Sequence, residues 1–260
     1  MRIIRSPRQM FAISQELKSQ RCKIGFVPTM GALHRGHLNL IRKAIKENDK
    51  VVVSIFVNPI QFGPQEDFRL YPRDLKKDAL LCRKEKVDFI FYPNANQMYP
   101  QGFKTYINVR ELGDVLCGAS RPSHFQGVAT VVAKLFNIVA PDMAYFGQKD
   151  AQQAIIIQRM VKNLNIPVKI RVSSTVREKD GLAMSSRNQY LNQSERKEAV
   201  VLYKALNKAK ALAKQGIRDS QSIIEEIKPA IIKNKPTRID YISITDPYNL
   251  KPVARIRQNE

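Results

Sequence analysis

The chain has no tryptophan, only three cysteines and three histidines, and 23 acidic residues against 44 basic ones. Cys22, Cys82 and Cys117 are odd in number, widely spaced and without a Cys-x-x-Cys pair, which excludes a disulfide framework and a zinc ribbon and leaves reduced, structural thiols. No apolar run is long enough to span a bilayer, and Met1-Arg2-Ile3-Ile4-Arg5-Ser6-Pro7 lacks the apolar core of a secretion signal, so a cytoplasmic protein with no membrane partner is expected. Internal repeats and low-complexity tracts are also missing, which excludes a repeat architecture.

The shortage of acidic residues leaves a net charge of +21, which by itself points toward nucleic acid. Much of that charge lies at Arg196, Lys197, Lys204, Lys208, Lys210 and Lys214, interleaved with apolar positions as on a solvated helix face. These basic stretches lack interleaved aromatics, so no nucleic acid is expected as partner. The same charge suits a small anionic substrate and ATP.

What is present is an alternation of strands and helices. At 260 residues and 43% hydrophobic composition the chain can bury a substantial core. The periodicity predicts a helix over 7–20, a strand over 23–27, an amphipathic helix with Leu38, Ile41, Ala44 and Ile45 on its apolar face, and a β-branched strand over 51–57. Strand, helix and buried strand in that order make a βαβ unit with a parallel sheet. A basic helix over 74–86, a strand over 87–92, an apolar helix over 128–139, strands over 143–146 and 168–173, and a helix over 151–164 continue the pattern. Residues 93–127 read as irregular, with one short alternating strand over 105–109, and so long a loop in a compact domain points to function. Two lysine-rich helices, 195–215 and 220–232, precede an alternating segment over 238–245 that is expected to pair with 253–256. The fold class is therefore α/β, with a Rossmann-like parallel-sheet domain over 1–175 and a smaller C-terminal α+β domain over 176–260.

The chemistry concentrates where strands run into helices. Phe26-Val27-Pro28-Thr29-Met30-Gly31-Ala32-Leu33-His34-Arg35-Gly36-His37-Leu38 passes from a strand through a glycine-bearing turn into a helix. The first N–H groups of a helix have no intrahelical partner and its dipole adds partial positive charge, so this turn is expected to receive a phosphate. Gly36 lets a ligand approach the backbone, and His34 and His37, three apart, can face one anion. Paired histidines also hold metals, but with no cysteine or carboxylate beside these two a closed zinc site is disfavoured. Asn58-Pro59-Ile60-Gln61-Phe62-Gly63-Pro64 leaves the C-terminal end of its strand, the edge where open α/β sheets bind ligands. A further junction holds Gly147-Gln148-Lys149-Asp150, and the loop over 175–188 holds Met184-Ser185-Ser186-Arg187. Taken singly, Gln61 fits a turn, Asp150 a helix cap and the serines an ordinary loop.

Together with Tyr71-Pro72-Arg73, Arg121-Pro122-Ser123-His124-Phe125-Gln126-Gly127 and Asp180-Gly181-Leu182-Ala183, these runs recur in order through nearly the whole chain. The set resembles the pantoate–β-alanine ligase, or pantothenate synthetase, family of the nucleotidyltransferase superfamily, which shares His-x-Gly-His with class I aminoacyl-tRNA synthetases. The resemblance implies ATP-dependent condensation of (R)-pantoate with β-alanine through pantoyl adenylate, releasing AMP and pyrophosphate, with Mg2+ accompanying ATP. It implies catalytic roles for His37, His34 and Lys149. ATP contacts are implied from Met30, Gly31, Ala32, Leu33, His34, Arg35, Gly36 and His37, from Gly147, Gln148, Lys149 and Asp150, and from Val176, Met184, Ser185, Ser186 and Arg187. Gln61 and Gln153 match the pantoate pocket, with Asn58 beside them. A homodimer joined through the N-terminal βαβ half, and a C-terminal domain forming a lid, are implied as well.

The residue types suit that chemistry. A carboxylate with a pKa near ~4 is ionised at neutral pH, so adenylation needs charge neutralisation and positioning more than a base. The β-alanine ammonium must lose a proton before the second step, and the sequence names no base for it. His37 occupies the position the family treats as the catalytic acid, and is read here as a hydrogen-bond donor of unassigned protonation state. His124 is left unassigned, and Arg121 is a weaker candidate for substrate contact. A cytidylyl- or adenylyltransferase acting on a phosphorylated alcohol is the alternative enzyme; it would leave its nucleotide on the product.

Two departures from the family pattern stand out. Where relatives often carry acidic residues near magnesium this chain has Lys76-Lys77-Asp78, which leaves the metal's protein ligands open. Relatives also continue into a further apolar strand where this chain has Arg257-Gln258-Asn259-Glu260, which predicts either a reduced C-terminal sheet or a shortened chain.

Overall fold

A computed structural model describes residues 1–233 and 238–257. The chain opens with an edge strand β1 (Arg2–Ile4) and a helix α1 (Pro7–Ser19), which starts where the Ser6 hydroxyl accepts the Gln9 N–H and Pro7 takes the first helical position. There follow β2 (Ile24–Thr29), α2 (Arg35–Glu47), β3 (Lys50–Ile55), α3 (Leu75–Lys84), β4 (Phe89–Phe91) and the single-turn helices α4 (Ala95–Met98) and α5 (Cys117–Ser120). Next come α6 (His124–Val139), β5 (Met143–Gly147), α7 (Ala151–Asn163) and β6 (Lys169–Ser173), and then α8 (Gln193–Glu198), α9 (Val201–Lys214) and α10 (Ser220–Lys233).

The six strands pair in parallel in the order β1-β4-β3-β2-β5-β6. The chain steps outward from β2 through β3 to β4, and α6 then carries it back to β5 on the other side of β2. β2 and β5 flank the point where the strand order reverses, so the crevice beyond their C-terminal ends is where such a sheet takes a ligand.

Side-chain alternation builds the two faces. Phe26, Val52, Phe89, Phe91, Ala144 and Phe146 face α1, α6 and α7 through Met10, Val132 and Met160. Their neighbours Val27, Val51, Val53, Ile90 and Tyr145 face α2 and α3 through Ile41 and Cys82. Because both faces are covered, the strands read as unbroken apolar runs, and burying each large side chain contributes about 1.5–3 kcal/mol.

The fold departs from the sequence reading in several places. β1 is too short for periodicity to register, yet it pairs with β4 from Arg2↔Phe89 to Ile4↔Phe91. Residues 105–109 form no sheet strand; they lie against α6, where the Ile107 N–H donates to Thr130 Oγ1 at 2.9 Å and Ile107 and Val109 pack on the core. The single helix expected over 195–215 is broken at Ala199–Val200 by tightened bonds, Leu202 N–H to Ala199 O and Tyr203 N–H to Val200 O. In place of a ladder between 238–245 and 253–256, the described residues there hold isolated antiparallel bridges, Thr245↔Pro252 and Asp219↔Arg255.

Candidate active site

β2 delivers the turn 30–34 into α2, and each backbone donor from Gly31 to His34 meets a side-chain acceptor. The Gly31 N–H reaches Thr29 Oγ1 at 3.1 Å, and those of Ala32 and Leu33 reach the two oxygens of Asp78 at 2.9 and 2.7 Å. The His34 N–H donates to His37 Nδ1 at 3.3 Å, while the N–H groups of Gly36 and His37 turn to the His34 side chain, 3.1 Å from Nδ1 in the case of Gly36. The helix thus caps itself with its own histidines, which engage the N–H groups of His34, Gly36 and His37 among the amides expected to face a phosphate.

The capping has a chemical consequence. Both Nδ1 atoms accept from backbone, so each neutral imidazole carries its proton on Nε2 and presents a donor there. The rings stack at 4.0 Å between centroids. A Cβ on Gly36 would lie 2.8–2.9 Å from the His34 ring, so glycine is what lets that ring fold back over the helix start. Burial, then the charges of its neighbours His34 and Lys149, pushes the His37 pKa down to about 3. His34 is lowered as well, by burial and next by Lys149. In the free chain His37 is thus a neutral donor at physiological pH.

Beyond β3 a second structure is assembled around Gln61. Asn58 is buried, and its amide donates to Gln61 Oε1 at 3.0 Å and to Gly127 O at 3.1 Å while its oxygen accepts from Tyr99 OH at 2.7 Å. Its polar groups are engaged with neighbours, so it stands behind Gln61 and orients it. α6 approaches closely because residue 127 is glycine: a Cβ there would lie 2.4 Å from Ile60 O. α6 begins at His124, a turn earlier than the sequence reading placed it. His124 receives an Arg121 N–H at Nε2, 3.1 Å away, so its Nδ1 carries the proton and donates to Gln61 O at 2.8 Å. Arg121 in turn clamps both oxygens of Glu66 with one guanidinium edge, Nε and Nη2, and holds that carboxyl below its usual range.

The hairpin over 176–184 forms the opposite wall. Met184 N–H donates to Val176 O at 3.0 Å, and Gly181, at φ +97°, makes the turn with Tyr203 packed where a side chain would be. Ser186 Oγ then donates to Ala32 O at 3.1 Å, tying this segment to the histidine turn.

Two cavities meet between these walls. One, of about 200 Å³, is lined by Met30, Asn58, Gln61, Ser185, Ser186 and Arg187. The other, of about 110 Å³, is lined by Gly36, Gly147, Val176 and Met184. His34, His37, Lys149, Asp150 and Gln153 border both. Of the residues singled out in the sequence, Gly31, Ala32, Leu33, Arg35 and Gln148 line neither: Leu33 is buried in the core against α2, Arg35 and Gln148 are exposed, and Gly31 and Ala32 shape the turn. Asp150 accepts from Lys149 Nζ at 2.8 Å and does not cap α7. The three cations on the larger cavity each carry a carboxylate partner, Lys149–Asp150, Arg121–Glu66 and Arg187–Asp67.

Sequence reasoning passed over Asp67, Glu66 and Tyr99, and named Asp78 only beside the open question of the metal's ligands. Only Asp78 left a signal: with Leu75 and Cys82 it falls at helical spacing on the buried stripe of α3, and a carboxylate there must have partners.

A family model described as pantoate-beta-alanine ligase matches residues 2–260. This chain belongs to the pantoate–β-alanine ligase family. It is accordingly a ligase of pantothenate biosynthesis that uses ATP. It is 56% identical over 261 residues to a pantothenate synthetase of Sulfurihydrogenibium sp. (strain YO3AOP1), covering 100% of this chain and 93% of that one. It is 52% identical to that of Caldicellulosiruptor bescii, covering 98% and 91%. A crystal structure of the Thermus thermophilus pantothenate synthetase superposes with a TM-score of 0.93 at 46% identity, over 99% of this chain and 91% of that one. The Francisella tularensis ligase, complexed with beta-gamma ATP and beta-alanine, superposes with a TM-score of 0.80 at 41% identity, over 90% and 86%. No helix among the described residues of the ligase is long and apolar enough to cross a membrane.

Proposed function

We propose that this ligase holds pantoate in the Gln61 cavity and the adenosine of ATP in the cavity under Val176 and Met184, so that the α-phosphorus lies at their common border. The pantoate carboxylate attacks there, the bond to the β-phosphate oxygen breaks, and pyrophosphate leaves toward Ser185, Ser186 and Arg187. The Nε2–H groups of His34 and His37 and the Lys149 ammonium donate to the phosphoryl oxygens as negative charge builds up. Gln61 and Gln153, amides that both donate and accept, hold the hydroxy acid. The amine of β-alanine then attacks the acyl carbon of the adenylate, AMP departs, and the amine proton passes to solvent or to the departing phosphate.

The observation that carries this reading is the common border of the two cavities. It brings the histidine pair, the lysine and one pantoate amide, Gln153, to a single place. Magnesium fits as an ion that arrives on ATP. Among the described residues no three His, Cys, Asp or Glu side chains cluster to hold one, and both oxygens of Asp78 already accept backbone N–H groups. We also take residues 176–260 to be a second domain acting as a lid, the ligase to be a cytoplasmic homodimer joined through its N-terminal βαβ half, and nucleic acid to play no part. The test is exchange of labelled pyrophosphate into ATP, which should require pantoate, followed by AMP release only on adding β-alanine. Nucleotide retained on the product would favour an adenylyltransferase instead.

A further inference from the structure

We propose that Asp78 is a positioning residue for adenylation, a buried carboxylate on α3 that sets the aim of the two histidines without touching substrate. The inference rests on the reading that His34 and His37 donate to the phosphate.

Asp78 is 1% exposed, and each of its oxygens receives one N–H of the turn, Oδ2 from Ala32 and Oδ1 from Leu33. The turn bends through two successive residues at positive φ, Gly31 at +86° and Ala32 at +49°. An alanine in that region opposes its own steric preference, so something must hold it there. Gly31 is also what gives the carboxylate room, since a Cβ at that position would sit 2.9 Å from Oδ2. The Ala32 peptide is gripped on its other side by Ser186 Oγ. The next residue but one is His34, whose backbone and ring lock to His37. The orientation of both Nε2–H donors therefore follows from where α3 places one carboxylate. Asparagine cannot substitute, because it offers a single acceptor and would turn an amide N–H toward a backbone N–H.

The experiment compares the wild-type ligase with Asp78→Asn, by pantoate-dependent pyrophosphate exchange and by NMR of the imidazole nitrogens. The expected result is an exchange kcat at least ~10-fold lower with the pantoate KM within about twofold of wild type, as for a loss of positioning near the chemistry. In the wild type both histidines should show the single Nε2–H tautomer, and in D78N a mixture of tautomers. If D78N does not fold, Gly31→Ala, which crowds the same oxygen, should give the same pattern. Exchange within twofold of wild type, or a loss that only follows the folded fraction while the tautomers are unchanged, would overturn the proposal. A wild-type protein with no pantoate-dependent exchange would overturn the adenylation reading instead, and the tautomer comparison would still report on the clamp.

Discussion

Arg187 and Asp67 form a two-pronged ion pair, Nε to Oδ2 and Nη2 to Oδ1, both at 2.8 Å. The pair joins the loop after β3 to the Met184-Ser185-Ser186-Arg187 segment, and the guanidinium also lies over Tyr71 at 5.5 Å. The same guanidinium is assigned to departing pyrophosphate, so nucleotide must compete with Asp67 for it. Partly exposed pairs contribute about 0.2–1 kcal/mol, equivalent to a factor of up to ~5 in affinity. Asp67→Asn should therefore lower the apparent KM for ATP by up to ~5-fold, less at high salt, whereas Arg187→Ala should raise it. An ATP KM in D67N equal to or above the wild-type value in steady-state assays would mean that the pair persists when ATP binds.

His37→Ala removes one Nε2–H donor from the reacting phosphate. Loss of a single donor of this kind costs about 10²–10³ in rate, so pantoyl adenylate formation measured by rapid quench should slow by that factor. Because His37 is held neutral, the wild-type rate should show no step from His37 ionisation between pH 6 and 8. A step in that range that disappears in the variant would show an imidazolium acid at work.

The depressed histidines also link pH to stability. Above about 6.5 neither the folded nor the unfolded chain protonates His37. Between there and about 3 the unfolded chain takes up a proton that burial, then His34 and Lys149, keep off the folded one. Stability should thus fall with pH across that window, with this residue contributing up to ~1.4 kcal/mol per pH unit. Urea melts at pH 7.5, 5.5 and 4.5 should show the difference between wild type and H37Q shrinking or reversing toward acid; a constant difference would contradict the assignment.

Behind Gln61, two substitutions separate orientation from contact. Asn58→Ala leaves the half-buried Tyr99 hydroxyl without its acceptor, at a cost of about 1 kcal/mol, and frees Gln61, so the pantoate KM should rise. Gly127→Ala should be as costly, since its methyl meets backbone rather than a yielding side chain. Calorimetric melting together with the pantoate KM checks both; unaltered values for both variants would remove the network from any role in pantoate binding.

Much of the sheet was legible because both of its faces are buried. Continuous apolar runs such as Val51-Val52-Val53 announce central parallel strands, and glycines and prolines mark their ends. His34, His37, Lys149 and Asp150, which border both cavities, were also legible as motifs, because they sit in a few consecutive positions at strand-to-helix junctions. What stayed hidden depends on partners far along the chain. Asp78 meets Ala32 from 46 positions away and Arg187 meets Asp67 across 120, and no local pattern encodes such a meeting. The segment over 105–109 failed for a related reason: alternation reports half-burial, which packing on a helix satisfies as well as a sheet edge does.

Gln153 looks into both cavities from the first turn of α7, so one rigid rod forms part of two chambers at once. A single non-hydrolysable molecule reaching from one chamber into the other would meet its second half-site at an effective concentration in the millimolar range. Tethering of that kind multiplies two weak grips into a strong one, and it makes linker length, rather than either headgroup, the quantity to vary first when designing an inhibitor.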